Sequence, residues 1–309
     1  MIEEGPLRVG PGRRLPVLPV TAAVPESEAP ELLFLGLDTL WLQLTGTLCN
    51  IACRHCFITC GPEETRVPLM SRPRIEALLN EARALGVKEF YLTGGEPMLH
   101  PEFFAVVERI LQEGPVHVLT NGLLIDAAAA ARLRELADAA RYSLELRVSL
   151  DGMSAAENDP VRGKGTFERV AAALSALAAV DLSPVITVVE HTAGMAAAEA
   201  RQRFLEFARG LGLRRPRVKF LPLLRIGREP RRSRGYVDDE QVRGPLLAPE
   251  SLQCASSRLA TEEHVLTCPI LLDAEEARLG TSLADAARPI RLRWAACHTC
   301  VVEGLSCRT

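Results

Sequence analysis

Between residues 37 and 222 the chain alternates between short runs suited to strands and longer runs suited to helices. Apolar runs recur at "TLWLQLT" (39–45), "KEFYLT" (88–93), "VHVLTN" (116–121), "LELRVSL" (144–150), "PVITVVE" (184–190) and "RVKFLP" (217–222). Helical spacing fills the gaps, as in "SRPRIEALLNEARALG", "HPEFFAVVERILQEG" and "GTFERVAAALSALAAV". Ser71 and Asp126 stand at N-cap positions, Pro73 and Pro101 in first turns, and Gly86 and Gly114 near C-terminal ends. Strand alternating with helix predicts right-handed βαβ units around a parallel sheet. Six such units suit an open doubly wound sheet or an incomplete (β/α)6 barrel. At 309 residues and 48% hydrophobic content, the chain has material for that core and a smaller unit besides.

The segments that follow the strands carry most of the reactive side chains. After the first comes a cysteine loop, after the second "TGGEP" (93–97), and after the third "TNG" (120–122); the fourth ends in "SLDG" (149–152) and the fifth in "EHT" (190–192). In parallel α/β folds the carboxyl ends of the strands build the ligand site, so these segments predict one shared site. Loops are polar and Gly-rich in any case, which accounts for "TNG" and "SLDG". It does not account for three cysteines in one loop and Gly-Gly-Glu-Pro in the next.

Nine cysteines fall in two groups, at 49, 53, 56 and 60 and at 254, 268, 297, 300 and 307. The N-terminus lacks the layout of a signal peptide and no run of 18 apolar residues occurs, so a cytoplasmic protein without a membrane span is expected. Cytoplasmic thiols seldom form disulfides, and clustered ones suit metal ligation. A formal net charge of -3 gives no reason to expect nucleic acid or an anionic membrane as partner. "CNIACRHCF" (49–57) offers three thiols from one loop. A 4Fe-4S cube takes one thiolate per iron, so Cys49, Cys53 and Cys56 leave the fourth iron open. The alternative is a closed zinc site in which Cys60 is the fourth ligand, on a non-catalytic barrel protein.

Cys49-x3-Cys53-x2-Cys56 followed by "TGGEP" resembles the radical S-adenosylmethionine superfamily, over roughly residues 37–225. The resemblance implies an α/β fold, an incomplete (β/α)6 TIM-like barrel. It also implies a 4Fe-4S cluster whose open iron chelates S-adenosylmethionine, and reductive cleavage to a 5′-deoxyadenosyl radical that takes hydrogen from substrate. By the same resemblance Gly94, Gly95 and Glu96 would serve the ammonium group of the cofactor, with Pro97 stiffening the turn. Phe57, next to Cys56, would contact the adenine. Ser149 and Asp151 match the position that touches the ribose or methionyl part. "NDPVRGKGTF" (158–167) places Arg162 on the methionyl carboxylate. Asn121 is a further cofactor candidate, with a plain turn as its alternative. His191 is another, with a solvated loop histidine as the alternative. An electron donor such as flavodoxin or ferredoxin is implied as partner.

Cys254-x13-Cys268 and Cys297-x2-Cys300-x6-Cys307 resemble the small C-terminal twitch or SPASM-type domains that hold auxiliary 4Fe-4S clusters. The shorter twitch form would use Cys254, Cys268, Cys297 and Cys300, with Cys307 able to replace Cys300. A zinc ribbon fits the spacings as well. The molybdopterin-pathway GTP cyclase carries another cysteine three positions before the counterpart of Cys254, where this chain has Ser251. That departure argues against the same reaction. The expected organisation is an extended, Pro- and Gly-rich arm at 1–36 with a short strand near "RLPVLPV", a barrel at 37–225 and an auxiliary-cluster domain at 226–309. Nine basic residues between 214 and 234 form either a clamp for an anionic substrate or a solvated linker. Two substrate classes remain, a peptide or a small molecule of cofactor or natural-product biosynthesis.

Overall fold

The computed structural model describes residues 24–189, 197–231, 235–237 and 240–305. The arm segment "RLPVLPV", His191 and Cys307 lie outside them. A two-residue strand β1 (Glu31–Leu32) precedes the six expected strands: β2 (Thr39–Gln43), β3 (Glu89–Thr93), β4 (Val116–Thr120), β5 (Leu144–Ser149), β6 (Val185–Val189) and β7 (Arg217–Leu221). From β2 to β7 they lie side by side in sequence order, all parallel. Helices α1 (Arg72–Leu85), α2 (Phe103–Ile110), α3 (Ala127–Ala139), α4 (Ala155–Arg162), α5 (Thr166–Ala179) and α6 (Ala197–Gly210) fill the crossovers.

The caps act where the sequence placed most of them. Ser71 accepts the Arg74 N–H at the start of α1, Asp126 accepts the Ala129 N–H at the start of α3, and Gly86 closes α1 in a left-handed conformation. Pro101 and Gly114 differ from expectation. The residues after β3 first make a short 3₁₀ turn, Pro97–Leu99. The His100 ring then accepts the Glu102 N–H at 3.1 Å, so α2 starts only at Phe103, past the proline. At its far end α2 stops at Ile110, and Gly114 belongs to the turn beyond. The helix α4 was not foreseen; it carries an internal Pro160.

Side chains along the strands alternate between two unlike faces. Leu40 and Leu42, Phe90 and Leu92, Val118, Leu146 and Val148, and Ile186 and Val188 pack outward into the main core beneath the helices. Trp41 and Gln43, Arg147 and Ser149, Thr187 and Lys219 face a cavity on the other side. A barrel filled by its own side chains would be apolar there. The polar inner face marks ligand space. One end is closed by stacked rings: Trp41 on Tyr91 and Tyr91 on His117, each with centroids 4.3 Å apart, and the Arg147 guanidinium over Tyr91 at 4.9 Å.

Beyond β2 the sheet continues. β8 (Ser257–Ala260) lies parallel to β2 with Arg258 opposite Leu40, and β9 (Val265–Leu266) and β10 (Arg278–Gly280) follow antiparallel. The C-terminal stretch, read from sequence as a unit of its own, thus supplies three strands to the barrel sheet. It also has a second core around Leu252, Ile270, Leu271 and Trp294, completed by Leu32 of the arm. β11 (Ile290–Arg291) pairs with β1, and α7 (Cys297–Val301) carries the last described cysteines. Among the described residues, no helix is long and apolar enough to cross a membrane.

Candidate active site

A cavity of about 240 Å³ opens at the carboxyl ends of β2 to β7. Cys49, Cys53 and Cys56 all line it, with Phe57, Gly94, Gly95, Asn121, Ser149 and Arg162. The loop that carries the cysteines is closed at its base, where Cys49 N–H donates to Gly61 O at 3.0 Å and Gly61 N–H to Thr47 O at 3.2 Å. Burial pushes the Cys49 thiol up to about 12 and the Cys53 thiol up to about 11. Cys56 moves the other way: hydrogen bonding from Cys60 favours its thiolate against its burial, and Arg228 adds to the effect. Cys60 N–H donates to Cys56 Sγ at 3.3 Å.

Gly94 and Gly95 are required by close packing of the Cys loop. A Cβ on Gly95 would lie 2.1 Å from Leu48 O and 2.8 Å from the Cys49 Cβ, and one on Gly94 would lie 2.1 Å from Thr45 Oγ1. Any side chain would push the loop off the end of β3. Asn121 is both a turn residue and a site residue. Its Oδ1 accepts the Leu123 N–H at 3.0 Å, while its Nδ2 donates to Asn50 Oδ1 at 2.7 Å and points to Cys49 Sγ at 3.7 Å.

Glu96 and Asp151 stand behind the wall, where the sequence reading had both at the cofactor itself. Glu96 caps the 3₁₀ turn and is fully buried; Oε1 accepts from Thr120 Oγ1 at 2.7 Å and Met98 N at 3.2 Å, and Oε2 from Asn121 N at 2.7 Å. Burial outweighs these donors and raises its carboxyl to about 7. Asp151 Oδ1 accepts the Val189 N–H at 2.9 Å, while Oδ2 meets His55 Nε2 at 2.7 Å and Arg162 Nε at 2.6 Å. Although burial opposes ionisation, Arg162 and His55 hold this carboxyl well below the usual range. One oxygen of Asp151 thus joins His55 and Arg162.

Arg228 belongs to the basic run and to "IGRE" (226–229), whose Gly-Arg is similar to one that follows the sixth strand in SPASM-type enzymes. It is 6% exposed, donates from Nη1 to Cys53 O at 3.1 Å and from Nη2 to Cys60 O, and its N–H reaches Cys56 O at 3.0 Å. Gly227 (φ +66) lets the turn come this close, since a Cβ there would lie 2.4 Å from Cys56 O. Among the described residues of the run, Arg214 pairs with Asp181, Arg217 with Glu145 and Arg225 with Glu240, and Lys219 lines the cavity; Arg232 and Arg234 lie outside the described residues. The signal was Gly followed by Arg just past the last parallel strand, but the partners of that Arg are backbone oxygens, which leave no mark in sequence.

Cys254, Cys268, Cys297 and Cys300 line a second, smaller cavity of about 40 Å³, otherwise walled by apolar residues such as Leu271, Ile290 and Trp294. The Gln253 amide at its edge is buried with neither its nitrogen nor its oxygen hydrogen-bonded. Burial raises the Cys268 and Cys297 thiols. Ile270 borders both cavities. Among the described residues, no three His, Cys, Asp or Glu side chains converge on one point as a single metal ion requires.

Comparison with known proteins gives one answer. The family model of the radical SAM superfamily matches residues 44–208, from the end of β2 through α6. The mycofactocin maturase MftC of Mycobacterium ulcerans is 33% identical over 150 residues, 47% of this chain and 39% of its own. The GTP 3′,8-cyclase of Microcystis aeruginosa is 28% identical over 217 residues, 65% of this chain and 61% of its own. The chain thus matches less than two thirds of the length of these relatives. Streptococcus suis SuiB, solved with S-adenosylmethionine bound, has a TM-score of 0.58 at 15% identity over 79% of this chain and 63% of its own, a likeness of fold alone. With the family match covering more than half of its length, the chain belongs to the radical SAM superfamily.

Proposed function

We propose that this chain is a radical S-adenosylmethionine enzyme that modifies a peptide, with a second iron–sulfur cluster in its C-terminal part. The observation that carries the reading is the meeting of Cys49, Cys53 and Cys56 with Gly94, Gly95, Asn121 and Arg162 around one cavity. The donors fit the groups: Cys60 also borders the cavity, but its Sγ turns to Ile58 O at 3.8 Å, which leaves three thiols for three irons of a cube. Thiols that do not converge on one point suit a cube better than zinc. Four thiols enclosed in an apolar pocket suit a fully ligated second cluster. When bound, the first cluster and S-adenosylmethionine supply a 5′-deoxyadenosyl radical that takes a hydrogen atom from substrate.

The chain's own part is to hold and orient. Cys49, Cys53 and Cys56 would hold the first cluster, and Asn121 Nδ2 offers Cys49 Sγ a hydrogen bond. Arg162, paired with Asp151, would bind the methionyl carboxylate. Backbone at Gly94 and Gly95 would receive the ammonium group, Phe57 the adenine and Ser149 the ribose. Leu221, Leu224, Ile270 and Leu305 make an apolar wall that keeps water from the reacting centre. Cys254, Cys268, Cys297 and Cys300 would hold the second cluster.

The peptide reading rests on the relative named as a maturase and on the solved SuiB bound to its precursor peptide SuiA. A small-molecule substrate is the second reading, favoured by the longer match to the GTP cyclase; Ser251 argues against that particular reaction. A cytoplasmic setting, with a flavodoxin- or ferredoxin-type electron donor, is consistent with the free thiols. The test is anaerobic incubation with dithionite and S-adenosylmethionine, followed by chromatography for 5′-deoxyadenosine. The reconstituted protein is expected to form it and a Cys49→Ala/Cys53→Ala/Cys56→Ala variant is not. Equal amounts from both would remove the reading.

A further inference from the structure

Arg258 is 1% exposed, an arginine sunk at the junction of β8, β2 and the second cysteine group. Its guanidinium makes four hydrogen bonds, all to main-chain carbonyls: Nε to Ala286 O at 2.9 Å, Nη1 to Cys254 O and Ser257 O at 2.7 Å each, and Nη2 to Arg288 O at 2.8 Å. Phe34 lies across it at 4.4 Å. Of the three other buried arginines among the described residues, Arg147 has Glu145 at 3.0 Å and Arg162 has Asp151 at 2.6 Å, while Arg228 bonds to carbonyls of the first cysteine loop as Arg258 does to that of Cys254. Among the described residues no carboxylate forms an ion pair with Arg258, and its Nη1 reaches the second cysteine group directly, at the Cys254 carbonyl 2.7 Å away.

A buried cation without an anion is costly, and carbonyl dipoles offset only part of that cost. The compensating charge is therefore to be sought where the thiols are. A cluster held by four thiolates carries net negative charge, and reduction adds one more. We propose that Arg258 is a positioning residue, the fixed counter-charge of the iron–sulfur cluster held by Cys254, Cys268, Cys297 and Cys300. The inference rests on the second-cluster reading above. Because a fixed positive charge favours the more negative redox state, Arg258 raises the reduction potential of that cluster. The first cluster, held at the other cavity, is not its target.

The test is an EPR-monitored redox titration of the reconstituted holoprotein, reading both clusters in native protein, Arg258→Met and Arg258→Lys. Arg258→Met is expected to move the second midpoint to more negative potential by at least the equivalent of a tenfold change in the one-electron equilibrium, 59 mV, with the first midpoint unmoved. Arg258→Lys keeps the charge and loses most of the carbonyl bonds, so its second midpoint should stay near the native value even if it melts earlier. A midpoint in Arg258→Met equal to the native one overturns the proposal and leaves Arg258 a structural clamp. Should the Met variant not fold, a shift of tenfold or more in Arg258→Lys overturns it just as well. Iron and sulfide for only one cluster in the native protein is a different result, which removes the second-cluster reading itself.

Discussion

His55 Nε2 lies 2.7 Å from Asp151 Oδ2, and this contact ties the cysteine loop to the residue just past the end of β5. The same oxygen is 2.6 Å from Arg162 Nε, at the end of α4. One buried carboxylate therefore holds both a loop residue next to Cys56 and Arg162, the cation proposed for the cofactor.

Asp151→Asn leaves Arg162 buried without its anion. It is expected to cost about 3 kcal/mol in urea unfolding of the apoprotein, the range for breaking a buried pair. A loss below about 1 kcal/mol would mean that water already screens the pair. The pH dependence has a definite sign. The folded carboxyl ionises well below the usual range, so its contribution is present above the ordinary aspartate value of about 3.9 and fades as pH falls further. The Asn variant should lack this acid-side loss.

Glu96 has the opposite sign. Its folded carboxyl, raised by burial to about 7, binds its proton more tightly than in the unfolded chain. That contribution is whole below the unfolded value of about 4.3 and is lost as pH rises towards 7. Apoprotein stability, measured by denaturant midpoint, should therefore carry a falling component between about pH 5 and 7 that Glu96→Gln flattens. An unchanged slope in the variant would show that Glu96 is ionised throughout.

The barrel strands were legible because each places apolar residues on one face at period two, and the helices because caps such as Ser71 and Asp126 end in real hydrogen bonds. The cysteine loop and "TGGEP" were legible as motifs. Their packing was not: Gly95 is needed because Leu48 O passes 2.1 Å from where its Cβ would be, a long-range fact about the loop. The Gly-Arg pair marked Arg228 without its partners and nothing marked Arg258, since both bond to carbonyl oxygens that any residue supplies. β8 escaped notice too, because "SRLA" is four residues long and becomes a strand by pairing with β2.

Gly95→Ala should act on the first cysteine group alone. The added methyl meets Leu48 O and the Cys49 Cβ, so the loop must move. After reconstitution the variant is expected to lose about half of its iron and sulfide, one cluster of two, while keeping its far-UV spectrum. Full iron content would contradict the packing argument.

Arg228→Met removes the donor to the Cys53 and Cys60 carbonyls from a site that water barely reaches. A loss of about 2 kcal/mol is expected from the stranded carbonyls. Iron release to a chelator from the first cluster should be at least several-fold faster than in native protein. Release at the native rate would show that the Gly227–Arg228 turn does not brace the loop.

The most direct test of the whole account is iron and acid-labile sulfide per chain after anaerobic reconstitution, in native protein and in the Cys49→Ala/Cys53→Ala/Cys56→Ala variant. The account expects about eight of each in the native chain and about four in the variant. Zinc in place of iron, with no labile sulfide in either protein, would contradict it and make Cys60 the fourth ligand of a closed site.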